Sequence, residues 1–424
     1  MAKELHELNE LEERVILVAV EMDERSSRSA MDTDACLDEL EELVKTAGAT
    51  AVARSVQKRE RIHPGHYLGT GKIEELKAML LAYDATGIVC DDELSPAQLR
   101  NLEQMLGTKV MDRTIVILDI FAARALSGEG KIQVELAQLK YRLSRLTGMG
   151  ASMSRLGGGI GTRGPGEKKL ETDRRYIKER IAELNKDAQE IRTHRELLRA
   201  QRSKKGTPVI SLVGYTNAGK STILNRLSDA GVLAEDKLFA TLDPVVRQIT
   251  LPNGLDILLS DTVGFINKLP HDLIEAFKST LEEVSNADLI LHVVDISCDH
   301  YDAQMRVVED VIASLGAGDT PRINVYNKID RIDSRPRGTE DDAFVSAATG
   351  EGMESLLERV EKLLSASHST IELTIPYDKY EAVALLHSEA RILSEEHTET
   401  GTKICAACED GTLRKLKKLV GENI

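Results

Sequence analysis

The 424-residue sequence has no apolar run approaching the roughly 20 residues needed to cross a bilayer. It has no apolar N-terminal stretch with the form of a secretory signal. No membrane span is expected, and the expected location is the cytoplasm. Cysteine is scarce, with five residues at Cys36, Cys90, Cys298, Cys405 and Cys408. A small, odd number in a long chain fits a reducing compartment and not a disulfide framework. Cys405 and Cys408 form a lone C-x-x-C with no second pair or histidine at metal spacing, so two strand residues are expected there. Positive charge is also in deficit: 55 Lys+Arg stand against 70 Asp+Glu, a formal net charge of −15. Such an average surface argues against nucleic acid. The deficit is uneven, however. Residues 131–205 carry a net of +10, which leaves −25 on the rest. A basic segment on an acidic body is the electrostatic footprint of a protein that meets a polyanion.

Against that background, one stretch carries the most chemistry: Gly214, Tyr215, Thr216, Asn217, Ala218, Gly219, Lys220 and Ser221. It reads G-x-x-x-x-G-K-S, follows the apolar run 208–213 and precedes a helical pattern that begins at Thr222. Strand, glycine-bounded loop and helix together make a phosphate cradle, in which successive N–H groups wrap the phosphates and the helix adds its positive dipole end. Lys220 is expected at the β- and γ-phosphates, and the Ser221 hydroxyl at Mg2+. Three more segments follow, each after an apolar run. Asp261, Thr262, Val263 and Gly264 suit a water-mediated Mg2+ contact from the aspartate and an N–H from the glycine toward the γ-phosphate. Asn327, Lys328, Ile329 and Asp330 supply a carboxylate for guanine N1–H and the 2-amino group, a donor pair that adenine lacks. Ser346, Ala347 and Ala348 offer a backbone N–H to guanine O6. Ligands of open α/β sheets bind at the carboxyl ends of the strands, where all four segments are expected.

Between the first two segments lie Phe239, Ala240, Thr241, Leu242 and Asp243. With them the set resembles a translation-factor-type GTPase domain. That resemblance makes Thr241 the switch threonine that completes the Mg2+ shell with GTP bound, and makes Lys220, Thr241 and Gly264 the catalytic set. Phe265 follows Gly264 where many signalling GTPases carry a water-orienting glutamine, so slow intrinsic hydrolysis is expected, with water positioning completed by a partner surface or by backbone and ions. Asn217 matches the asparagine that helps hold K+ in potassium-using GTPases. It is equally a turn residue tolerant of unusual backbone angles.

Length suggests two to four domains. Strands at 15–20, 49–56, 86–90 and 109–111 alternate with helices at 33–46, 72–83, 95–106 and 113–126, which argues a small parallel α/β domain over residues 1–128. Gly69, Thr70, Gly71 and Lys72 superficially resemble a phosphate loop but are expected to open a helix. Residues 129–205 read as an antiparallel helical hairpin. Ile132, Leu136, Leu139, Leu143 and Leu146 form one seam; Leu170, Ile177, Leu184, Ile191 and Leu198 form the other, interrupted by Arg174 and Arg195. A glycine-rich loop joins the arms. It carries Arg155 and Arg163, with Lys168 and Lys169 at its exit and Arg174 and Arg175 just beyond, a candidate RNA-binding set. A solvated spacer with a loose tip is the alternative. Residues 206–368 form the GTPase segment on a mostly parallel sheet, and residues 369–424 a small α+β appendage suited to docking. The fold class is thus α/β throughout the catalytic part.

The chain resembles the HflX family of GTPases nearly end to end. The residues that carry the likeness are 112–121 (DRTIVILDIF), 129–139 (EGKIQVELAQL), 157–167 (GGGIGTRGPGE), 214–221 and 239–244. The resemblance implies a GTPase that binds the large (50S) ribosomal subunit and separates stalled ribosomes; a monomer is expected. Its N-terminal and helical parts would reach ribosomal RNA near the intersubunit face and the peptidyl-transferase region. The family is also associated with ATP binding, but no second nucleotide site is visible in this sequence. Two other readings stay open: a ribosome-assembly GTPase acting on immature subunits, and a non-ribosomal signalling GTPase whose hairpin binds a protein.

Overall fold

The computed structural model describes residues 13–22, 31–146, 165–203, 207–228, 238–239, 245–270, 273, 283–334, 336, 338–339, 342–367, 369–398, 400–408 and 410–420. The first sheet is parallel, in the order β2-β1-β3-β4, from β1 (Arg14–Met22), β2 (Thr50–Arg59), β3 (Gly87–Cys90) and β4 (Lys109–Asp112). β1 is buried continuously from Val15 to Val20 because helices cover both its faces. Val15, Leu17 and Ala19 pack with α1 (Thr33–Thr46) and α4 (Arg113–Arg124). Ile16, Val18 and Val20 pack with α2 (Thr70–Ala82) and α3 (Pro96–Leu106). Ser95 caps α3 through a reciprocal box with Gln98, and Pro96 is pre-organised at the first turn. Gly69 is the N-cap of α2, so the 69–72 segment opens a helix as expected.

The hairpin arms are α5 (Gly128–Leu146) and α6 (Pro165–Ser203). Leu136 and Leu184 are buried at their seam. The two-arm pattern describes α6 well and α5 incompletely. α5 has a second buried face, on which Val134, Ala137 and Tyr141 join the core beneath α1 and α4. Its smaller and polar residues hid this face, because Gln133 is buried beside Val134. Arg195, which interrupts the α6 seam, is answered by Glu129 on α5 at 2.6 Å. Arg180 meets Glu135 through both Nε and Nη2 at 2.8 and 3.1 Å.

The second sheet has the order β10-β9-β8-β5-β7-β6. Its strands are β5 (Val209–Gly214), β6 (Val245–Thr250), β7 (Asp256–Asp261), β8 (Leu289–Asp295), β9 (Arg322–Asn327) and β10 (Asp342–Phe344). All pair in parallel except β6, which is antiparallel to β7 at one edge. Among the described residues this part also carries helices α7 (Lys220–Ser228), α8 (Tyr301–Ser314) and α9 (Met353–Ser367). A three-stranded antiparallel sheet follows, in the order β11-β13-β12, from β11 (Ser369–Ile375), β12 (Arg391–Thr398) and β13 (Gly401–Cys408). It packs with α10 (Tyr380–Glu389) and α11 (Asp410–Val420) around a core of its own. Cys405 and Cys408 lie on β13, and no cluster of three His, Cys, Asp or Glu suited to a metal occurs among the described residues. No helix among them is long and apolar enough to cross a membrane.

Candidate functional site

The parallel strands of the second sheet end along one edge, and their C-terminal tips carry the polar residues singled out above. β5 delivers Gly214 and the loop to Ser221, β7 delivers Asp261, and β9 delivers Asn327. The residues after β10 deliver Ser346. At the loop's turn Gly219 has φ +96, and a Cβ there would overlap the Asn327 side chain, so only glycine fits. Asn217 is exposed with φ 60, a backbone that asparagine tolerates better than most residues. Lys220 is buried and donates from Nζ to the carbonyls of Gly214 at 3.1 Å and Tyr215 at 2.8 Å. Burial pushes its pKa down to about 8, with Asp261 pulling the other way. The Ser221 hydroxyl donates to Asp261 Oδ2 at 2.6 Å. A hydroxyl and a carboxylate so close form the hard oxygen donor set that suits Mg2+. Thr222 follows in the first turn of α7. Thr262 donates to the Leu212 carbonyl at 2.7 Å and Val263 is buried, which fixes the chain leading into Gly264. A Cβ on Gly264 would come within 2.8 Å of Thr216 Cγ2 and 3.1 Å of Lys220 Nζ. The glycine therefore rests directly against the phosphate loop.

At the other end of the edge, Asn327 stitches three segments together. Its Nδ2 donates to the Ala218 carbonyl at 2.9 Å, and its Oδ1 accepts the Ala347 N–H at 3.0 Å. Ala347 is buried and Ala348 exposed. Lys328, with φ 64, pairs with Asp295 at 2.6 Å, and Ile329 is buried beneath the turn. Asp330 is exposed and accepts the Ser346 hydroxyl at 2.6 Å, which holds its carboxyl below the usual range. Asp295 was missed in the sequence. It accepts from the Ser297 N–H and hydroxyl and anchors Lys328, so it positions the turn at residues 327–330. Its one signal is an acid at the tip of the apolar run 289–294.

Family models match the chain in consecutive blocks. GTP-binding GTPase N-terminal covers residues 34–122, GTP-binding GTPase middle region 124–202, 50S ribosome-binding GTPase 209–328, and HflX C-terminal domain 331–413. The GTPase HflX of Lacrimispora saccharolytica is 58% identical over 402 residues, covering 94% of this chain and 94% of that protein. The chain belongs to the HflX family of GTPases. The GTPase HflX of Escherichia coli is 43% identical over 80% of this chain and 82% of that protein. A GTP-binding protein of Sulfolobus solfataricus, solved in complex with GDP, is 22% identical over 83% of this chain and 99% of that one, with a TM-score of 0.42. As an HflX-family member this chain is a GTP hydrolase with a phosphate loop.

In this HflX-family chain the N-terminal sheet and its helices sit against the phosphate loop, Phe239 and the residues after Gly264. Phe121 of α4 meets Phe239 edge-on, with ring centroids 4.7 Å apart. Phe239 is buried with φ 54, an unusual backbone for a bulky residue. Ala240, Thr241, Leu242 and Asp243 lie outside the described residues. Phe265 is buried in the core shared with α1 and α4, so its ring packs inward. The Tyr215 hydroxyl donates to Glu39 of α1 and accepts the Asn267 N–H at 2.7 Å. Lys268 pairs with Asp91, and with Asp92 at 2.6 Å. Burial lifts Asp91 to about 6, even beside Lys268. Burial works against the Lys268 ammonium, but the two carboxylates raise it above the usual value. Glu39, Asp91, Asp92, Asn267 and Lys268 gave no sequence signal, because their partners lie far along the chain.

Of the candidate RNA-binding residues, Arg155 and Arg163 lie outside the described residues, as do the side chains of Lys168 and Lys169. Arg175 is exposed on α6 and reaches Glu179 at 3.6 Å, while Arg174 is half-buried.

Proposed function

We propose that this chain binds GTP across the carboxyl edge of the second sheet and uses its hydrolysis as a switch on the large ribosomal subunit, separating stalled ribosomes. The observation that carries this reading is the convergence of Lys220, Ser221, Asp261 and Asp330 on one sheet edge, each already held by a hydrogen bond. The N–H groups of residues 214–222 and the start of α7 would bind the phosphates, with Lys220 moving from its loop carbonyls to the β- and γ-phosphates. Asp330 would accept guanine N1–H and the 2-amino group, and guanine O6 would compete with Asn327 for the Ala347 N–H. Mg2+, held by Ser221, by Asp261 through water and by Thr241 in the GTP form, would neutralise developing phosphate charge. Gly264 N–H would turn to the γ-phosphate, and Phe265 supplies no side chain to orient water, so a partner surface completes the site. The basic hairpin with its glycine loop, including Arg155, Arg163, Lys168, Lys169, Arg174 and Arg175, would bind ribosomal RNA. The matched description of residues 209–328 as a 50S ribosome-binding GTPase supports that partner.

The test is steady-state GTP hydrolysis with and without purified large ribosomal subunits, with ATP in parallel and K+ exchanged for Na+. Strong stimulation confined to GTP is expected, with ribosome splitting as the next assay. Turnover indifferent to subunits would remove the ribosomal partner and leave the GTPase. A drop in Na+ would assign Asn217 to the monovalent ion; equal rates in the two salts would leave it a turn residue.

A further inference from the structure

The contacts of Tyr215 close into a ring. Its hydroxyl donates to Glu39, and Glu39 pairs with Arg113. Arg113 Nη1 donates to Asp91 at 2.7 Å, and Asp91 pairs with Lys268. Lys268 is the neighbour of Asn267 in sequence, and the Asn267 N–H returns to the Tyr215 hydroxyl at 2.7 Å. Arg113, Asp91 and Tyr215 are all buried, so breaking one link leaves charged or polar groups uncompensated in a low-dielectric setting. Lys268 sits at φ 55, a backbone that a lysine keeps only when its surroundings hold it.

The ring fixes residues 264–268 against the phosphate loop. The Phe265 carbonyl accepts the Thr216 N–H at 2.7 Å, and the Gly214 carbonyl accepts the Phe265 N–H at 3.1 Å. Gly264 lies against Lys220 Nζ. A γ-phosphate draws on this same equipment: loop N–H groups, the lysine, and the glycine N–H that must stand a phosphate's width away. A diphosphate needs less of it. Contacts that hold residues 264–268 down therefore oppose triphosphate more than diphosphate.

We infer that Tyr215 is a positioning residue that sets the diphosphate-to-triphosphate preference of the site, its hydroxyl locking residues 264–268 onto the phosphate loop through the ring with Glu39, Arg113, Asp91 and Lys268. The inference rests on the guanine-nucleotide reading of the phosphate loop. Opening the ring at either Tyr215 or Lys268 releases the same segment, so the two openings are not additive.

The experiment is equilibrium binding of GDP and of a non-hydrolysable GTP analogue to the full chain, to Tyr215→Phe, to Lys268→Met and to the double variant. Each single variant is expected to raise analogue affinity relative to GDP by about fivefold or more, with the ratio in the double variant no further shifted than in the stronger single. A structural role alone would weaken both nucleotides together and leave their ratio where it was; that result in both single variants overturns the inference. A wild-type chain that binds neither nucleotide would instead overturn the reading of the site on which the inference stands.

Discussion

Asp330 and His292 show how environment sets what a titratable residue does in one sheet. Asp330 is exposed, ionised and oriented by the Ser346 hydroxyl. On the proposed guanine contact, replacing it with asparagine would exchange an acceptor for a donor opposite the 2-amino group. Asp330→Asn is expected to weaken GTP binding by about 100-fold or more and to favour xanthosine triphosphate, whose base has a carbonyl at that position; competition binding with the two nucleotides reads this. His292 is buried on β8 beside β9. Burial, with Arg322 adding to it, holds the imidazole down to about 4. The unfolded chain therefore takes up this proton first. The stability it affects is complete above the ordinary histidine pKa of about 6.5 and falls as pH drops from there toward 4, by on the order of 3 kcal/mol in all. Urea unfolding across that window should show the loss in wild type and a flatter slope in His292→Leu. An unchanged slope would assign the acid sensitivity to other groups.

Elements differed in how much of them the sequence revealed. The phosphate loop and the turn at residues 327–330 were legible because each is a contiguous run whose residue types are dictated by a backbone or a charge at close range. α6 was legible by its heptad spacing. α5 was half legible: one seam is leucine-rich, whereas the face toward α4 uses Gln133, Val134, Ala137 and Tyr141, which do not stand out as a stripe. Tyr215 read as a variable position inside a motif because its partners come from α1 and from the chain after Gly264. For the hairpin, reversing Arg155, Arg163, Lys168 and Lys169 to glutamate is expected to weaken binding to the large subunit and to lower the salt slope by about one for each phosphate no longer neutralised. Binding isotherms at several salt concentrations measure both. Unchanged affinity would remove the hairpin from the RNA interface while leaving hydrolysis of GTP untouched.

At the scale of the whole chain, cores and sheets do not coincide. One core runs from β1, α1, α4 and α5 through Tyr215, Phe239, Phe265 and Ile266 into the second sheet, whereas the C-terminal sheet keeps a separate core. The first two sheets are therefore expected to melt together and the C-terminal part independently. Phe121→Ala removes a ring from the shared core at a cost of about 3–5 kcal/mol. Calorimetry should show the large transition move to lower temperature while the C-terminal one stays in place. Two separate shifts would mean that the sheets are cooperative units of their own. The shared core also gives α5 and α6 a mechanical consequence. Arg145 and Tyr141 near the end of α5 both bond Asp112 at the tip of β4, at 2.5 and 2.8 Å. α6, with 39 residues, has an axis of roughly 58 Å and ends shortly before β5, whose far end is the phosphate loop. Both bonds to Asp112 lie at the end of α5 that leads into the glycine loop, so the strut formed by the pair is tied to the first sheet at its loop end, and a shift of that sheet moves the point from which the loop departs.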